Sequence, residues 1–394
     1  MSTTQRIRRP ISDCELERRW AATRKLLKSK DLDVMFTQSC NMHLGGYVRW
    51  FTDVPAEYNL HMTVFFTGDD EMTLIRSSAS PIPAWGLRGV KQVLYAPFSP
   101  SLCYTSPLEA GLAIDYLRSR GSKRVGFVGK GTINTSFMKR LLDAFPQIEF
   151  VDITDEFDLI KALKSDEEME RVFETARTHD AAWTALPAII KPGMLEYQLR
   201  AEVIQLLMDL GSEEHLMHMG TAQPYEPCGM STFQYANRRT QEGDYGILLI
   251  ETSGPGGYYC ESARNFCFGE PYKELGDAWD VAVQAQQLTA DLLTDGRPST
   301  EIVEKYNNFV QEKGYCQEGR LYGHSQGYDL IERPAFMSYN KNGNETMKIY
   351  AGMNCSLHPY FTDSIQSVYI NDNYYVTENG AERIHKTPPE IILL

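Results

Sequence analysis

The chain has 394 residues, 42% of them hydrophobic and 23% charged, enough for two domains that each bury a core. Its formal net charge of −13 repels phosphate and argues against a nucleic-acid partner. No apolar run reaches the ~18 residues of a membrane span, and the charged N-terminus MSTTQRIRRPISDCE lacks the apolar segment of a secretion signal, so a cytoplasmic protein is expected. Eight scattered cysteines without a CxxC pair read as buried thiols rather than disulfides or a structural zinc site.

Helices and strands alternate through the first part. Ser12 and Glu15 form a capping pattern before a helix running to about Leu27, and Leu32–Thr37 follows as an apolar strand. Met62–Phe66 and Met72–Arg76 read as a hairpin around Thr67-Gly68-Asp69-Asp70. Strands are expected at Val93–Tyr95, Arg124–Val128 and Glu149–Asp152, with helices at Leu108–Arg118 and Phe137–Ala144. This alternation predicts an α/β domain over residues 1–158.

Residues 159–394 read as a second domain. Ser165 and Glu168 make another capping box, with Met169, Val172, Phe173 and Ala176 on one helical face. Pro192-Gly193 breaks that helix, and the next places Leu199, Val203, Leu206 and Leu210 inward, with Gly211 at its end. Strands at Asp244–Glu251 and Ser262–Phe268 flank a Gly-rich turn at Ser253–Gly257, which is no phosphate loop because no Lys-bearing helix follows. Helices over Leu275–Leu293 and Thr300–Lys313 precede a strand-rich C-terminus.

Landmarks of one family then occur in order. They are Leu163-Lys164-Ser165 before a Glu-rich helix, Gly243-Asp244, and Gly257-Tyr258 followed by Arg264. Gly323-His324-Ser325-Gln326-Gly327 comes next, with Glu332 and Pro334 behind it, then Gly352-Met353 before His358-Pro359. Asp372 and Val376-Thr377-Glu378-Asn379-Gly380 close the series. In these motifs the chain resembles the pita-bread hydrolases, the superfamily of creatinase, prolidase, aminopeptidase P and methionine aminopeptidase. The resemblance implies an α/β N-terminal domain, an α+β pita-bread catalytic domain, and a homodimer.

Peptidases of that fold hold two metal ions with two Asp, one His and two Glu. Here those positions carry Leu249, with Glu251 the nearest acid, then Glu261, His324, His358 and Asn371. Losing about half of the carboxylates removes the charge that a two-ion centre needs. The resemblance to creatinase, which has lost the metal set, therefore implies a metal-free hydrolase cleaving a C–N bond in a small amidino, amine or amide carboxylate. Glu251 and Glu261 would bind the nitrogenous group, and His324 or His358 would move the proton. Creatine is a poor fit, because creatinase's glutamate falls on Ala263 and its catalytic histidine near Thr232 or Phe233.

Three alternatives stand beside this reading. One is an Xaa-Pro-type metallopeptidase holding one divalent ion with Glu251, Glu261, His324 and His358. Another is a lyase acting on an onium carboxylate, and the third is a catalytically dead binding protein. Substrate contacts are expected from Asn371, Asp372, Glu332 and His218, and from Arg49, whose guanidinium suits a carboxylate. His215 and His218 invite a metal reading by their spacing, and Tyr58 and His61 lie near Arg49 in the chain.

Overall fold

The computed structural model describes residues 7–39, 43–44, 46–56, 60–68, 72–78, 87–97, 105–231, 236–337 and 347–394. Tyr58, Gly45, the Asp69-Asp70 turn and the Thr232/Phe233 position lie outside the described residues. The chain divides into two compact units, one up to Lys161 and one from Ala162 to Leu394; the sequence reading set the division after residue 158.

The first unit contains α1 (Asp13–Ser29), β1 (Val34–Ser39), α2 (Gly46–Thr52), β2 (Met62–Thr67), β3 (Met72–Ser78) and β4 (Val90–Pro97). It continues through α3 (Pro107–Arg120), β5 (Arg124–Val128), α4 (Thr135–Ala144), β6 (Glu149–Asp152) and α5 (Thr154–Ala162). Its sheet has the order β4-β3-β2-β1-β5-β6, with β2 antiparallel to both neighbours and β5 and β6 parallel to β1. The Ser12 hydroxyl accepts from the Glu15 amide and starts α1 where the capping pattern places it. Val34, Phe36, Phe65 and Ile75 from the strands pack with Ala113 and Leu117 of α3 and Phe137 and Leu141 of α4. Each such large side chain contributes about 1.5–3 kcal/mol on burial.

The second unit opens with α6 (Asp166–Ile189), α7 (Glu196–Asp209), β7 (Glu214–Ala222), β8 (Tyr245–Ser253) and β9 (Tyr259–Cys267). Then come α8 (Lys273–Ala290), α9 (Ser299–Glu312), β10 (Leu321–Ser325), β11 (Glu332–Met337) and β12 (Asn354–Leu357). Last are β13 (Tyr360–Thr362), β14 (Ser367–Tyr369), β15 (Asp372–Thr377), β16 (Gly380–Arg383) and β17 (Ile392–Leu393). Two sheets dominate, in the orders β17-β9-β8-β7 and β11-β10-β12-β15-β16. They are stitched together where Ala263 and Asn371 exchange both backbone hydrogen bonds. Helices α6 and α7 cover the outer face of the first sheet through Trp183, Leu199, Val203 and Leu207 against Met217, Leu248, Ile250 and Phe266. Helix α9 covers the second sheet through Ile302, Tyr306 and Val310.

Two helical faces differ from the sequence reading. On α7 the buried stripe is Leu199, Val203 and Leu207, while Leu210 is exposed. Leu210 is the cap residue beyond the last turn of α7, and Arg200, buried on the helix, donates to the Met217 carbonyl of β7 at 2.6 Å. On α6, Phe173 is exposed and meets Tyr375 edge-on rather than joining Met169, Val172 and Ala176.

Strand β7 was not anticipated. Within it His215 and His218 point to opposite faces, because side chains alternate along a strand, so their metal pairing fails. His215 bonds instead to Ser212. Of the described cysteines, Cys228, Cys260, Cys267 and Cys355 are buried free thiols, while Cys14 and Cys316 are exposed free thiols. No helix among the described residues is long and apolar enough to cross a membrane.

Candidate active site

The inner face of the β7–β9 sheet carries two rows of facing residues. Leu216, Glu251 and Glu261 stand opposite one another in the first row, and His218, Leu249 and Ala263 in the second. Alternation along a strand places both rows on one side of the sheet. The other sheet supplies the histidines. His324 lies on β10 opposite Ser356, and His358 directly follows β12, its amide bonded to the Tyr322 carbonyl. Gly323 precedes His324 because β10 and β12 approach closely there: a Cβ would clash with the Ser356 carbonyl and crowd the Phe336 ring.

Glu251, Glu261, His324 and His358 are all buried. The two imidazole rings are 5.4 Å apart between centroids, and the Tyr369 ring stands edge-on to His358. Asn371 is fully buried beside the Tyr369 hydroxyl, and neither polar atom of its amide has a well-formed hydrogen bond. The structure thus brings together five of the residues chosen from the sequence, with His218 on the same sheet face.

The electrostatics of this cluster are unbalanced. His324 Nδ1 lies 3.0 Å from the Ser325 carbonyl, an acceptor only, so Nδ1 carries a hydrogen and Nε2 is the nitrogen turned toward the acids. That Nε2 lies 3.2 Å from Glu261 Oε1, another acceptor, and Oε1 has no hydrogen-bond partner. Two acceptors at this distance repel unless a proton or a cation lies between them.

Burial, and then the charge of Glu261, push the Glu251 carboxyl well above the usual range, while a hydrogen bond from Gln326 opposes the shift. The negative charge of Glu261 thus disfavours ionisation of the facing Glu251. Burial, and then the charges of His324 and Arg320, push His358 well below its ordinary value, which keeps its imidazole neutral. His218 is lowered by burial, then by Arg200 and Arg320.

An amide network missed in the sequence orients the acids. Gln326 Nε2 donates to Glu251 Oε1 and to the Leu330 carbonyl, both at 3.0 Å, and Gln326 Oε1 accepts from Asn373 Nδ2 at 2.9 Å. Asn373 Nδ2 also donates to Asn354 Oδ1, and Asn373 Oδ1 accepts from the Glu261 amide at 2.8 Å. One asparagine thereby ties the backbone of one acid to the side-chain partner of the other. Gln326, inside the Gly323–Gly327 landmark, and Asn373, directly after Asp372, were the available signal.

Other expected site residues have different partners. Asp372 is fully buried against Arg264 at 2.9 Å, with Arg383 and His385 each at 3.6 Å. Glu332 is buried against Lys164 at 2.8 Å and accepts from the Asp329 amide, which ties down the loop after Gln326. Arg49 belongs to the first unit, where it is buried on α2 and its charge faces Asp53. His61 is buried in that unit as well.

The residues present fit one metal ion and not two. Two of the five positions that would hold a pair of ions are Leu249, an apolar side chain within the core, and Asn371, a neutral amide. Glu261, His324 and His358 each offer a ligand atom, all lying within 4.8 Å of one another. Glu251, expected among the ligands, stands outside this group and is held by Gln326.

Two layers of strands covered by helices, with an acid–histidine cluster between them, define a pita-bread hydrolase. Residues 170–378 match metallopeptidase family M24, and the chain belongs to that family, among hydrolases of C–N bonds. The chain is 24% identical to an Xaa-Pro dipeptidase of Pyrococcus furiosus, over 67% of this chain and 74% of that protein. It is 23% identical to a probable dipeptidase PepE of Mycobacterium tuberculosis, over 84% of this chain and 89% of the relative. Among solved structures it superposes on an X-Pro aminopeptidase of Thermotoga maritima with a TM-score of 0.80 at 15% identity, covering 95% of this chain and 99% of the other. These relatives carry peptidase names, and the creatinase-like, metal-free expectation gains no support from them.

Proposed function

We propose that the protein is an Xaa-Pro-type metallopeptidase, hydrolysing the C–N bond before proline in short peptides with one divalent ion at an atypical site. The observation that carries this reading is the buried Glu261–His324–His358 group with Glu251 facing it across the strand pair. The names of the dipeptidase relatives support the substrate class.

Glu261, His324 and His358 would hold a divalent ion, which would supply Lewis acidity toward the scissile carbonyl when bound. Glu251 is the proton-transfer group. Ionised, it takes a proton from the attacking water as the water oxygen bonds to the carbonyl carbon. Protonated, it returns that proton to the prolyl nitrogen as the C–N bond breaks. Burial and the facing Glu261 raise its pKa, which favours the protonated form that the second half of the cycle needs. Gln326 fixes Oε1 of Glu251, so Oε2 is the oxygen left to exchange the proton. The Asn371 amide supplies an N–H for a substrate oxygen.

Release of proline from Ala-Pro and Gly-Pro by the metal-loaded protein tests the reading. Glu251→Gln is expected to lower kcat by about 10²–10⁴-fold with little change in KM. Inert proline dipeptides, together with hydrolysis of an amidino carboxylate by chelator-treated protein, would instead restore the metal-free reading.

A further inference from the structure

Family M24 sites of the kind described above hold two ions, and this chain departs from that number. From the geometry we infer that the protein holds a single ion in a two-histidine, one-carboxylate set of Glu261, His324 and His358, selective for the zinc, cobalt and iron class over manganese or magnesium. The inference deepens the peptidase reading by naming the stoichiometry and kind of metal, and it rests on that reading for its biological use only.

Three observations carry it. First, Glu261 Oε1 is buried without a well-formed hydrogen bond, 3.2 Å from His324 Nε2, and with His358 these atoms converge as donors to one cation do. Second, His324 is oriented as metal-bound histidines are, its distal Nδ1–H donating to the Ser325 carbonyl at 3.0 Å. The Glu261 amide is likewise fixed, by Asn373 Oδ1 at 2.8 Å.

Third, the acids that a second ion would need have other partners. Glu251 accepts from Gln326, Asp372 is paired with Arg264, and Glu332 is paired with Lys164. Leu249 and Asn371 offer no charge. A manganese or magnesium centre wants hard carboxylate oxygens, whereas two imidazoles and one carboxylate bind borderline ions more tightly. Three protein donors also leave open positions for water and substrate, as catalytic sites require.

The test is metal binding, read without reference to turnover. Full-length protein stripped with chelator and dialysed is titrated with Co(II) and with Zn(II), followed by calorimetry, elemental analysis and the cobalt visible spectrum. One equivalent is expected, with zinc displacing cobalt and with Mn(II) bound at least about 100-fold more weakly. His358→Ala and Glu261→Gln are each expected to weaken binding by about 100-fold or more and to remove the visible bands, whereas Glu251→Gln keeps one equivalent. Thermal unfolding with and without zinc checks that each variant folds, since only binding-competent protein gains stability from the ion. Two equivalents, no binding at millimolar cobalt, or affinity unchanged in folded His358→Ala protein would overturn the inference. One equivalent bound without dipeptide turnover would leave the site standing and remove the peptidase reading.

Discussion

Three residues apart on β9, Arg264 and Glu261 face opposite fates. Arg264 is completely buried, and every nitrogen of its guanidinium is used: by the Pro388, Ala263, Asn371 and Thr387 carbonyls and by Asp372. Glu261 is equally buried, yet its Oε1 has no well-formed hydrogen bond and only His324 Nε2 beside it, at 3.2 Å. Folding satisfies buried charges where they serve as scaffold, so an acid left unsatisfied beside two imidazoles marks the place where something else binds. Asp372, paired with Arg264, stands on the scaffold side, although it too looked like a site residue in the sequence.

The largest effect is expected on the scaffold side. Arg264→Met leaves Asp372 buried without its main counter-charge and should lower unfolding stability by about 3–5 kcal/mol, measured from urea denaturation. A loss below about 1 kcal/mol would erase the distinction drawn between the two charges.

An intermediate effect concerns the histidines behind that scaffold. His179 and His385 stack with ring centroids 5.5 Å apart, and burial is the first cause lowering both, His385 to about 3. The folded protein therefore refuses protons that the unfolded chain accepts below about pH 6.5. Stability is unaffected above that pH, where both states are neutral. It should fall by about 1.4 kcal/mol per pH unit for each histidine as pH drops toward the folded values. Urea midpoints at pH 7.5, 6.5 and 5.5 check this, and His385→Asn should flatten the slope.

The smallest effect belongs to the site. Without bound metal, Glu261→Gln replaces a buried carboxyl whose Oε1 has no well-formed hydrogen bond and should change stability by less than about 1 kcal/mol, or raise it. A large loss would make Glu261 scaffold after all.

Much of this fold was legible because its signals are local. The Ser165–Glu168 capping box forms as read, and β5 and β6 match their expected bounds, since apolar runs between polar turns specify strands. The motif order located His324, His358 and Glu261 in one cluster. Less legible were features set by distant partners. The burial of Arg200 on α7 depends on its reaching a carbonyl of β7, and β7 itself mixes Glu and His into a strand whose alternation is carried by Met217 and Met219. That Asp372 and Glu332 serve as ion-pair partners follows from Arg264 and Lys164, the latter 168 residues away. The roles of Gln326 and Asn373 likewise exist only in three dimensions, where their amides interlock.

The most direct measurement is anomalous diffraction at the zinc edge from crystals of zinc-loaded protein. One anomalous peak per chain is expected, bonded to Glu261, His324 and His358, with Glu251 outside the coordination sphere and still bonded to Gln326. Two peaks in the cluster, or none in protein shown to be loaded, would contradict the account.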